Sequence, residues 1–153
     1  MNIHNLFPTP VAFFGLGREV TDAELEFVKG LDKRTNTGNI TSVESNLFEK
    51  PELKDIAAFA NEKIADYFDE IYRPAKKVEI YVTQSWANYT SMGQYHHKHR
   101  HPNSFVSGVF YVKANRHVDK IKFFNDKVPY MEVTARDYNP YNSESWWFNV
   151  GES

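Results

Sequence analysis

Between Thr21 and Ile71 the apolar positions recur at helical spacing, and beyond Val78 they alternate or run together in short blocks. Between these two stretches the period changes from about 3.6 to 2. Thr21-Asp22-Ala23-Glu24 has the form of a capping box ahead of Leu25, Phe27, Val28 and Leu31, which predicts a first helix over 21–31. The polar stretch Thr35–Ser45 ends it. Pro51, suited to a first helical turn, opens a second helix over 51–71. Leu53, Ile56, Ala57, Ala60, Ile64, Tyr67, Phe68 and Ile71 form its core stripe, and Asp66, Asp69 and Glu70 its solvated face. Strands are expected at Val11–Phe14, Val78–Tyr89, Phe105–Val112, Ile121–Phe124, Met131–Thr134 and Trp146–Val150, separated by turn-rich segments.

Helices followed by a run of strands predict one α+β domain over 1–153, with two helices bracing one face of an antiparallel sheet. Its β core, about 78–150, suits a double-stranded β-helix, the jelly-roll of cupin-like proteins. A closed jelly-roll uses about eight strands and the pattern supplies about six, so an apolar edge is expected to stay open. Either the sequence is a fragment, incomplete at its C-terminus, or a second copy covers that edge as a homodimer.

Composition narrows the chemistry. A formal net charge of −2 without a sustained Lys/Arg run gives no signature for nucleic acid or for an anionic membrane surface. The absence of cysteine excludes thiolate catalysis and Cys-ligated metals, so a metal site must be built from His, Asp and Glu. No apolar run reaches membrane-spanning length and the N-terminal segment, broken by Pro8 and Pro10, lacks a basic flank, so a cytoplasmic location is expected.

Four of the six histidines lie in Tyr95-His-His-Lys-His-Arg-His101, just before the apolar run Phe105–Val112. If residues 96–101 are extended, His97, His99 and His101 share one face and His96, Lys98 and Arg100 the other. Imidazoles two residues apart on one face can share a metal ion. The bland alternative is a solvated loop that takes up nickel or zinc adventitiously, with His96 and His97 as surface groups. Ser104 and Ser107 have no base at a diagnostic spacing. Trp86, Trp146 and Trp147, without basic clusters beside them, read as core rather than as a stacking platform.

Leu6-Phe7-Pro8-Thr9-Pro10, Trp86-Ala87-Asn88, His99-Arg100-His101-Pro102-Asn103-Ser104, Ser107-Gly108-Val109-Phe110-Tyr111-Val112 and Ser145-Trp146-Trp147-Phe148 together resemble the iron(II)- and 2-oxoglutarate-dependent oxygenases, in particular a small phage and marine-bacterial branch. The resemblance implies a hydroxylase-type oxidoreductase using dioxygen, Fe(II) and 2-oxoglutarate on a substrate the sequence does not name. It places His99 and His101 as metal ligands, with His97 in reserve if the register shifts by two. It also places Asn88 and Tyr111 at the cosubstrate. Where the family pattern has a carboxylate, this chain has His101, which makes the pair neutral. The family's distal His and its 2-oxoglutarate-binding Arg have no counterpart: His117 lies too early, and Arg136 precedes the Trp146 strand. Two other functions remain open. One is a non-catalytic binding or assembly module of the same fold. The other is a simple cupin-like metal-binding protein that uses His97, His99 and His101 with zinc or nickel.

Overall fold

The computed structural model describes residues 1–125 and 136–151. Their contacts divide the chain into two units, residues 1–97 with 101–108, and residues 98–100 with those from 109 onward.

In the first unit, helix α1 spans Asp22–Gly30 and begins as the sequence predicts. Thr21 Oγ1 accepts the Glu24 N–H at 3.2 Å, while Glu24 Oε2 accepts the Thr21 N–H at 2.8 Å. Arg18 closes on the same carboxylate with two bonds of 2.9 and 2.6 Å. Its guanidinium is the main reason the buried Glu24 carboxyl falls from 4.5 to about 2, and the Thr21 bonds add to it. Helix α2 spans Lys54–Tyr72, after two short 3-10 turns at Leu47–Glu49 and Pro51–Leu53. It ends at Arg73, which turns left-handed at φ 43° and donates its N–H to Asp69 O at 3.1 Å. Pro74 follows, and a proline disfavours a helical residue before it. Val28, Leu47, Leu53, Ile56, Ala57 and Phe68 are buried together in this unit. The stripe expected on the second helix supplies four of those six, Leu53 from the turn before α2 and Ile56, Ala57 and Phe68 from α2 itself.

The polar segment after α1, to which the sequence reading assigned no element, is a hairpin. Strands β1 (Lys33–Asn36) and β2 (Asn39–Ser42) pair antiparallel around a two-residue tip, Thr37-Gly38. β3 (Asn88–Tyr89) adds to β2 on the other side. Chain segments 41–48 and 85–89 are laced together further. Ser42 N–H donates to Ala87 O at 2.8 Å, Leu47 N–H to Ser85 O at 2.9 Å and Ser85 N–H to Ser45 O at 2.8 Å. Of the strand expected at Val78–Tyr89, only its last two residues are strand, because β2 offers a partner only there. Residues 11–14 and 105–112 form no strand, although their apolar sequence favours a pleat.

The second unit is organised by a second antiparallel pair, β4 (Lys120–Phe124) and β5 (Ser145–Asn149), with Lys122 opposite Trp147. Both strands were expected; β4 begins one residue earlier than expected and β5 is displaced by one residue. Alternation puts Lys120, Lys122, Phe124 and Trp147 on one face and Ile121, Phe123, Trp146 and Phe148 on the other. The ammonium of Lys120 sits 5.5 Å from the Trp147 ring centre, and that of Lys122 5.1 Å from Phe124. The strand expected at Met131–Thr134 lies outside the described residues. Among the described residues, no helix is long and apolar enough to cross a membrane.

Candidate metal centre

The hairpin tip is the scaffold of the histidine segment. Gly38 has φ 84°, a left-handed conformation that glycine adopts freely. Its carbonyl accepts the Tyr95 N–H at 3.1 Å. A β-carbon at Gly38 would run into the Tyr95 carbonyl oxygen and lie 3.0–3.1 Å from the Tyr95 ring. The approach of these two chain segments therefore depends on glycine. On either side of Gly38 the tip meets one histidine. Thr37 O lies 3.3 Å from Nδ1 of His97, and the Asn39 amide nitrogen lies 3.5 Å from Nδ1 of His96. Asn39 is 3% exposed and held on both sides, its oxygen accepting from Asn36 at 2.9 Å and its nitrogen donating to Thr90 Oγ1 at 3.3 Å.

The two imidazoles stack, with ring centres 5.2 Å apart and planes 26° from parallel. One ligand nitrogen from each of His96, His97 and His99 lies within 4.8 Å of the others. These three residues belong to one tetrapeptide. An ion with about 2.0–2.1 Å bonds to imidazole nitrogen draws two ligands to within about 4.2 Å of each other. Small side-chain rotations close that difference. Three neutral nitrogen donors suit zinc, copper, nickel or iron(II), with the remaining positions left to water or a chelating substrate.

Other residues singled out by the sequence are placed as follows. His101 packs against Trp86, with ring centres 5.4 Å apart and planes tilted by 42°. The grouped histidines are thus 96, 97 and 99 rather than the 97, 99, 101 that strict alternation implies, because residues 96–101 join no strand. Asn88 opens β3, with its Cα opposite that of Thr41. Burial pushes the Tyr111 phenol above its usual range, and the nearby Asp119 carboxylate adds to this. His117 sits in the turn before β4, its N–H on Asn115 Oδ1 at 3.1 Å. Arg136 is exposed beside Asp137 at 3.4 Å. His96 was read as a surface group, and Thr37 and Asn39 were not singled out. For the last two, the Asn36-Thr37-Gly38-Asn39 turn signature was the available signal.

A histidine group of this kind could hold a metal ion. The family described as "Putative 2OG-Fe(II) oxygenase" matches residues 84–150, less than half of the chain. That segment holds the whole histidine run, Asn88, Tyr111 and both strands of the second unit. The resemblance seen in the sequence is thus found by direct comparison in the segment that carries the candidate chemistry. No curated protein and no solved structure matches the chain.

Proposed function

We propose that this chain is a non-haem iron oxygenase domain of the 2-oxoglutarate-dependent type, acting on an organic substrate with dioxygen. The observation that carries the reading is a coincidence. The segment matched by the oxygenase family is also where one ligand nitrogen from each of three histidines comes within 4.8 Å of the others. When bound there, Fe(II) would supply open positions for a keto acid and for dioxygen. His99 is the ligand on which the family resemblance and the histidine grouping agree. His101 is its partner by resemblance, and His97 by proximity. Asn88 and Tyr111 are assigned to the cosubstrate, and the fold is assigned to the jelly-roll class, with a second copy covering its open edge.

A second reading has its own support. Among the described residues the grouped ligands are three imidazoles and no carboxylate, which also suits a protein that simply binds zinc or nickel. Anaerobic titration of the whole chain with Fe(II) and then 2-oxoglutarate separates the two. The oxygenase reading predicts a visible charge-transfer band that needs both additions and is lost in His99→Ala. Metal uptake with no response to the keto acid would overturn it in favour of simple metal binding.

A further inference from the structure

We infer that the face of β4–β5 that carries Lys120, Lys122 and Trp147 binds single-stranded nucleic acid, its ammonium groups taking phosphates and its indole stacking on a base. The inference rests on the second unit alone and is independent of whether the histidines hold a metal. The two units are charged oppositely. Residues 98–100 and 109–153 carry eight Lys/Arg against six Asp/Glu, while the rest of the chain carries ten against fourteen, so a protein of net −2 contains a unit of +2. Charge asymmetry of this kind points to an anionic partner for the basic part. The excess is concentrated in residues 113–124, with four Lys/Arg and a single acid, Asp119, whose carboxylate accepts the Asn115 N–H at 2.6 Å.

Strand pairing then puts part of this charge beside an aromatic surface. Lys122 has its Cα opposite that of Trp147, and Lys120 lies two residues along the same face. Both lysines are exposed, and Trp147 is 46% exposed. The Lys120 ammonium sits 5.5 Å from the Trp147 ring centre, so a phosphate-binding charge and a stacking surface lie within reach of one nucleotide. The sequence concealed this, because residues 137–153 contain no Lys or Arg; the two lysines come from some 25 residues earlier, through the pairing of β4 with β5. The combination selects the partner. A phosphodiester strand carries an aromatic ring beside every charge, and bases stack on exposed aromatic side chains along a basic surface. An acidic peptide or an anionic membrane supplies charge without that ring, and a duplex keeps its base faces inside the stack.

The test is fluorescence anisotropy of short labelled oligothymidylate and oligouridylate titrated with the whole chain at stepped salt, with tryptophan emission read in parallel using unlabelled strand. Binding should weaken as salt rises, and emission should be quenched. Lys120→Gln/Lys122→Gln, two changes at exposed side chains, should weaken binding about tenfold at low salt and flatten the log–log salt slope by about 1.4, the loss of two phosphate contacts. Trp147→Leu should weaken binding about 5–100-fold, the range for one stacked base, and abolish most of the quenching. Lys76→Gln/Lys77→Gln removes the same charge from the first unit and should change neither, and circular dichroism checks that each variant is folded. No binding of either strand by the folded wild type at low salt overturns the inference, as does equal affinity for a duplex of the same length. Unchanged binding in the folded Lys120→Gln/Lys122→Gln and Trp147→Leu variants overturns it too. Binding to phosphatidylserine vesicles but to neither strand would replace it with a membrane surface.

Discussion

Gly38 and Tyr95 meet backbone to backbone, the carbonyl of one accepting the N–H of the other at 3.1 Å, and the glycine has a φ of 84°. Both the conformation and the missing β-carbon are needed at this one residue. Gly38→Ala is expected to lower unfolding free energy by about 1–3 kcal/mol, the usual cost of a strained left-handed position, before any clash is relieved. Urea denaturation measures this. A loss below about 0.5 kcal/mol would mean that the tip does not press on Tyr95.

Glu24 makes acid stability a test of the first helix cap. Its carboxyl stands at about 2 instead of 4.5, chiefly because Arg18 bonds it. A depressed carboxyl stabilises the fold above its unfolded value, and that contribution disappears as pH falls from 4.5 toward 2. Glu24→Gln should remove this component of the pH dependence. It should also cost on the order of 1–3 kcal/mol at pH 7, since the hydrogen bonds lost are to a charged group. Unfolding curves at stepped pH would contradict the account if the variant kept the wild-type slope across that window.

Tyr89 tests the junction between β3 and α1. Its hydroxyl donates to Val28 O at 2.5 Å, and the Lys33 ammonium sits 4.7 Å from its ring centre. Burial raises its phenol above the usual 10, so the neutral form stabilises the fold below pH 10. That stability is lost as pH rises through the higher folded value. Tyr89→Phe should cost about 0.5–1.5 kcal/mol at neutral pH and flatten the alkaline limb. Equal stability of the two proteins at pH 7 would show that the bond contributes nothing.

Ile56, at 2% exposure on the inner stripe of α2, marks the centre of the first unit's core. Ile56→Ala is expected to cost about 2–5 kcal/mol by thermal or chemical unfolding. A cost under 1 kcal/mol would place the core elsewhere.

What the sequence disclosed followed from local rules. Thr21 and Glu24 satisfy each other across three residues, and the α2 stripe repeats within a single helix, so both could be read without knowing any distant partner. The β1–β2 hairpin was hidden because Lys33-Arg-Thr-Asn and Asn39-Ile-Thr-Ser carry almost no apolar alternation; their pairing is declared by the Gly38 turn instead. Strand expectations held at β4 and β5, which pair with each other, and failed over residues 105–112, which are in no strand. The histidine run was legible as a metal candidate, but its grouping was not. Alternation assumes a pleated strand, whereas the neighbours of His96 and His97 are set by a hairpin tip some 60 residues earlier.

The central claim is that imidazoles of the 96–101 segment hold one metal ion that 2-oxoglutarate then recognises. Anaerobic calorimetric titration with Fe(II) in the presence of 2-oxoglutarate, on the wild type and on His97→Ala/His99→Ala, tests it most directly. The account predicts one ion per chain in the wild type and binding at least tenfold weaker in the double variant, which is about 1.4 kcal/mol or more. Equal affinity and stoichiometry in the two proteins would contradict it.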